Sequence, residues 1–143
     1  MIYIGYQGIG KSSISGKNNC IDLESGNFWI DGERVENWYK IYCNIAEHLS
    51  NQGYKVFMSS HKVIREELNK RNIDFEVICP SLNLKEQWIN RLQERYDRTH
   101  LEKGYKALMN AKECYEENIE DLMQENHGFI IESIDYDLME LIN

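Results

Sequence analysis

Eight residues near the start of the chain, GYQGIGKS from Gly5 to Ser12, carry glycine, lysine and serine at the spacing G-x-x-x-x-G-K-[ST]. The chemistry open to that spacing is phosphate binding. Glycines let a backbone turn tightly and aim successive N–H groups at phosphate oxygens. A helix opening after the loop adds its positive end. In such a cradle Gly5, Gly8, Ile9, Gly10 and Ser13 supply backbone, Lys11 reaches the β- and γ-phosphates, and Ser12 offers its hydroxyl to Mg²⁺. Gly8 and Gly10 crowd the turn; glycine costs conformational entropy wherever it has no backbone role.

A cradle of this kind needs a strand before it and a helix after it. IYIG (Ile2–Gly5) reads as a buried strand, and KSSISGK as the start of a helix. Further strands are expected at Asn18–Leu23, Tyr54–Ser60, Asp74–Pro80 and Gly128–Ile134, with a loop or small hairpin at Ser25–Glu33. Between them the spacing predicts helices. One starts near Glu36, with Trp38, Ile41, Ile45 and Leu49 as its apolar stripe and Gly53 as its stop. A short one follows His61. Another has a basic face, on which Arg91, Arg95 and Arg98 recur at four- and three-residue steps. A long stretch after Leu101 has a Leu108, Ala111, Tyr115, Ile119, Leu122 stripe, and Gly104 marks a break in it. Strands alternating with helices give an α/β fold, a five-stranded parallel sheet covered on both faces as a three-layer sandwich.

The chain has 143 residues, which fits one domain, and a net charge of −8 from 24 acidic and 16 basic residues. That balance disfavours a nucleic-acid partner, because phosphate backbones attract basic faces. Cys20, Cys43, Cys79 and Cys114 are scattered without metal-ligand spacing and read as free thiols of a reducing compartment. No signal-peptide pattern and no apolar run near the roughly 20 residues of a membrane helix is present, so the expected location is cytoplasmic, with no membrane partner.

With the glycine loop at the end of the first strand, the chain resembles the P-loop small-molecule kinases, both nucleoside monophosphate kinases and the compact shikimate- and gluconate-type kinases. The resemblance runs over nearly the whole chain and implies the P-loop NTPase fold, ATP and Mg²⁺. It also implies roles for three segments. In CIDLES, Asp22 and Glu24 correspond to acids that contact Mg²⁺ and the acceptor. In VFMSSHKVIREEL, Ser60, His61 and Arg65 correspond to groups that hold the acceptor. In CPSLNLKEQWINRLQERYDRT, a small lid-like segment at 81–100, Arg91 and Arg95 correspond to arginines that close over the transferring phosphate. The third strand ends in serines and a histidine, without the aspartate of motor-type ATPases.

The expected reaction is transfer of the γ-phosphoryl group of ATP to a small acceptor, with a nucleoside monophosphate the first choice. Positioning and charge stabilisation carry such a transfer. Lys11, Asp22, Arg91 and Arg95 are the catalytic candidates, with Ser12 and Asp22 sharing the metal. Phe28 and Trp29, beside glycines, are candidates to stack on an acceptor base. A nucleotide-binding regulator and an NTP hydrolase are the alternatives.

Overall fold

A computed structural model describes residues 1–125 and 127–143. Asn126, the last residue of the acidic stretch that begins at Leu101, lies outside them. Among the described residues seven strands and six α-helices follow in order: β1 (Ile2–Gly5), α1 (Lys11–Ile14), β2 (Cys20–Asp22), β3 (Trp29–Ile30), β4 (Glu33–Arg34), α2 (Trp38–Asn51), β5 (Lys55–Ser59), α3 (Lys62–Lys70), β6 (Phe75–Pro80), α4 (Lys85–Thr99), α5 (Glu102–Met123), β7 (Gly128–Ile131) and α6 (Leu138–Ile142). Five strands form a parallel sheet in the order β2-β5-β1-β6-β7, so β1 is the central strand. The expected α/β class and five-stranded parallel sheet hold.

The chain packs into two compact units, Met1–Gly5 with Gly10–Glu76, and Tyr6–Ile9 with Val77–Asn143. In the first, β5 lies between β2 and β1, with Gly5 opposite Ser59 and Asp22 opposite Phe57. That register brings the carboxyl ends of β1 and β5 level, with β2 ending two residues short of them, at the end where open α/β sheets bind ligands. Ile2, Ile4, Val56, Phe57 and Met58 are sealed in the sheet, with Tyr42, Cys43 and Ala46 of α2 and Ile64 and Leu68 of α3 also buried. Arg71 donates from Nε to Glu67 Oε2 at 2.7 Å and also reaches Asn44 and the Lys40 carbonyl of α2.

In the second unit β6 and β7 pair from Val77 opposite Gly128 to Pro80 opposite Ile131. A Cβ at Gly128 would lie 2.2 Å from the Val77 carbonyl oxygen, so only glycine allows the pairing. Trp88 and Leu92 of α4 and the full expected stripe of α5, from Leu108 to Leu122, are buried.

Several expectations need correction. The helix after the glycine loop is a single turn, because Ser15 is extended and Gly16 takes φ +85°. Asn18 and Asn19 adopt φ of 48° and 61°, which ends any strand there and starts β2 at Cys20. On α2 the buried face runs through Tyr42, Cys43 and Ala46, while Ile41 and Ile45 are exposed. Gly104 does not break a helix. Gly104 lies inside α5 against Tyr96 and Thr99; His100, in the left-handed region, ends α4, and the kink within α5 falls at Cys114, at φ −133° and ψ 22°. The small hairpin, by contrast, is present as expected: Asp31 and Gly32, at φ 51° and 81°, turn β3 into β4.

Candidate functional site

The glycine loop leaves the carboxyl end of β1. Gly8 and Gly10 take φ of 88° and 105°, a region that side chains disfavour, which explains glycine at both places. Turns of this kind can aim successive backbone amides at an anion. The Lys11 ammonium folds back over this turn and donates to the Gly5 carbonyl at 3.3 Å. Ser12 and Ser13 are exposed in the first turn of α1, where the Ser13 N–H is bonded to the Gly10 carbonyl at 3.1 Å. With only one turn behind it, the loop gains little from a helix dipole; its own amides and Lys11 carry the positive field.

Residues Tyr6–Ile9 are held within the second unit. The Tyr6 N–H donates to the Ile78 carbonyl at 2.9 Å. Trp88 Nε1 donates to the Gln7 carbonyl at 2.8 Å, and the Tyr136 hydroxyl to the Ile9 carbonyl at 2.6 Å. The two rings stack at 6.1 Å, and the Arg91 guanidinium lies over both, 5.0 Å from Trp88 and 5.3 Å from Tyr136. The Gln7 side chain reaches α5 through the Ala107 carbonyl. A Cβ at Gly8 would sit 2.9 Å from Leu92 Cδ2 and 3.2 Å from Trp88 Nε1. The segment read as lid-like therefore has two fully buried side chains, Trp88 and Leu92, against the loop. Arg91 stands among the loop's partners, whereas Arg95 lies along α5, its Nε beside Gly104. Their shared helical face does not send the two arginines to one place.

In the first unit, the acidic pair is set by Tyr42. Its hydroxyl donates to the Leu23 carbonyl and accepts from the Ser59 N–H at 3.1 Å, fastening the exits of β2 and β5 together. Asp22 and Glu24 flank Leu23. Burial, opposed by the Ser59 bonds and assisted by these two carboxylates, pushes the Tyr42 hydroxyl up to about 12. It stays a protonated donor at neutral pH. The Asp22 N–H donates to Ser15 Oγ at 3.1 Å. β2 ends at Asp22, so strand alternation does not extend to Glu24, which instead opens a short 3₁₀ turn over Ser25–Phe28. Ser60 follows the end of β5, half-buried, and Arg65 is 5% exposed within α3.

Beside this pair stands an aromatic and cationic wall. Phe28, Trp38 and Tyr42 pack together at 5.7 to 6.3 Å, and His61 meets Trp38 edge-on at 5.4 Å. The Arg34 guanidinium lies 4.7 Å over Trp29 and 4.1 Å over Trp38, and donates to the Ser25 carbonyl. The imidazole of His61 is held below its ordinary pKa of 6.5 by partial burial of the ring, then by the charges of Arg34 and Lys11. The charges of Arg34 and Lys11 thus share one neighbourhood with the His61 ring. Sequence reasoning placed Phe28, Trp29 and His61 here but missed Arg34, whose only signal was a lone arginine beside a hairpin of tryptophan and isoleucine. It also missed Trp88 and Tyr136 as partners of the glycine loop.

Among the described residues no group of three or more His, Cys, Asp or Glu side chains gathers as a metal site. Ser12 and Asp22 are hard oxygen donors, as Mg²⁺ requires, and Mg²⁺ takes few protein ligands when phosphates supply the rest. The chemistry of this donor set fits the ion. All four cysteines are free, three of them buried. Among the described residues no helix is long and apolar enough to cross a membrane. No protein-family model, curated protein or solved structure matches the chain.

Proposed function

We propose that this chain is an ATP-dependent small-molecule kinase with the P-loop NTPase fold in a three-layer sandwich, and that its acceptor is a nucleoside monophosphate. The observation that carries this reading is the loop itself: two positive-φ glycines, then a lysine over the turn, at the carboxyl end of the central strand. Such a turn offers amides and one ammonium to a chain of phosphates. Bound Mg²⁺, held by Ser12, Asp22 and phosphate oxygens, would neutralise donor charge.

In the reaction the bond between the γ-phosphorus and its bridging oxygen breaks, a bond to an acceptor oxygen forms, and ADP leaves. Lys11 and the loop amides hold the donor. Asp22 and Glu24, fixed through Tyr42, orient the acceptor oxygen and take its proton where it has one. Arg91, over the Trp88 and Tyr136 rings, keeps a positive charge beside the loop residues Tyr6–Ile9 as charge spreads in transfer. The acceptor side favours a ligand with an aromatic base and a phosphate: Phe28, Trp29 and Trp38 offer ring faces, Arg34 offers a cation, and His61 offers an imidazole that a bound anion would help to charge.

A screen of ATP with each nucleoside monophosphate and with small polyols tests the proposal. The expected result is ADP and a nucleoside diphosphate formed in equal amounts. Phosphate release without an acceptor would instead mark a hydrolase, and tight ATP binding without turnover a regulator.

A further inference from the structure

The hydrogen bonds that Trp88 and Tyr136 make to the glycine loop go to carbonyls, and this has a consequence for the opposite side of the same peptides. A peptide unit is planar and trans, so the carbonyl of one residue and the N–H of the next point in opposite directions. Trp88 draws the Gln7 carbonyl toward α4, and Tyr136 draws the Ile9 carbonyl toward itself. The Gly8 and Gly10 amides are thereby turned the other way. These are the two residues in the left-handed region, where the backbone can accept that rotation.

We infer that Trp88 and Tyr136 are positioning residues that aim the Gly8 and Gly10 amides at a bound oligophosphate. They sit 81 and 127 residues beyond their loop partners in the chain. Trp88 is fully buried, so its indole N–H has a fixed direction. Arg91, lying across both rings, holds them in register and keeps a positive charge beside the hydroxyl of Tyr136. The anion preference of the loop is built from outside it, by two donors that never touch the phosphates. This inference rests on the phosphate-loop reading and adds to it the residues that preorganise the nest.

Tyr136→Phe removes one hydroxyl and leaves the ring stack in place. Inorganic tripolyphosphate is the probe, read by calorimetry on wild type, Tyr136→Phe, Lys11→Ala and Tyr115→Phe. Tyr115 is the control, since its hydroxyl makes a similar bond to a carbonyl, that of Ser81, at 2.8 Å. Loss of one neutral hydrogen bond predicts tripolyphosphate affinity weakened roughly threefold to tenfold in Tyr136→Phe, and unchanged in Tyr115→Phe. The ¹⁵N resonance of Gly10 in the ligand-free protein should shift in Tyr136→Phe, because its peptide carbonyl loses a donor. The same shift at Gly8 is expected in Trp88→Phe; the Tyr136 measurement stands alone if that buried site does not tolerate replacement.

Unchanged tripolyphosphate affinity in Tyr136→Phe, with Lys11→Ala impaired, would overturn the inference and leave the loop reading intact. Equal weakening in Tyr115→Phe would also overturn it, since the effect would then be general loosening. A wild-type protein that does not bind tripolyphosphate would remove both.

Discussion

Two regions of the molecule are built in opposite ways. Residues Tyr6–Ile9 of the glycine loop are held by a strand carbonyl, an indole and a phenol, and Gly8 is packed so closely that a methyl group would collide. The acceptor wall hangs on a hairpin of two-residue strands, with Trp29 46% and Ile30 63% exposed. Under the proposed function the difference matches the ligands each would meet. Phosphate oxygens are constant in shape and charge, so a rigid set of amides recognises them with little reorganisation. An acceptor differs in base and sugar, and ring faces with a stacked arginine recognise it through broad surfaces.

Breaking the rigid end should have the largest effect. Lys11→Ala removes the ammonium over the turn and is expected to lower phosphoryl transfer by about 10²–10³-fold, measured as kcat/KM for ATP. Gly8→Ala forces a left-handed alanine against Leu92 and Trp88, with an expected loss of about 1–3 kcal/mol in unfolding free energy and weaker ATP binding. Chemical denaturation and calorimetry read the two effects separately.

Changes at the acceptor end should be smaller and should leave ATP binding alone. Arg34→Ala takes a cation from between two tryptophans and should raise KM for a nucleoside monophosphate by about tenfold. If KM for ATP rises equally, the two ends are not separate. The smallest effect sharpens the role of His61. Burial, Arg34 and Lys11 disfavour its charged form, and a bound anion favours it, so binding should draw a proton onto the ring. Acceptor affinity should therefore rise a few-fold as pH falls from about 8 to about 6. His61→Gln should flatten that dependence.

How much of this was legible in the sequence depended on distance along the chain. The glycine loop could be read because its chemistry is packed into eight adjacent residues, and β1 because its apolar run is short and continuous. The Trp88 and Tyr136 bonds could not be read, since nothing in a pattern ties position 7 to 88 or 9 to 136. The stripe of α2 misled because Ile41 and Ile45 look like core, while the buried face is made by Tyr42, Cys43 and Ala46. Tyr42 needs that face for its hydroxyl to reach the exits of β2 and β5. Arg91 and Arg95 share spacing, but the stacked rings of Trp88 and Tyr136 engage only the first, while Arg95 extends along α5.

Calorimetric titration of ATP, ADP and AMP with Mg²⁺ into wild type and Lys11→Ala bears most directly on whether the loop grips phosphates. Affinity should fall stepwise from ATP to AMP in the wild type, and the lysine variant should lose most of that gradient. Equal affinity for all three nucleotides, or a gradient that survives without Lys11, would contradict the account.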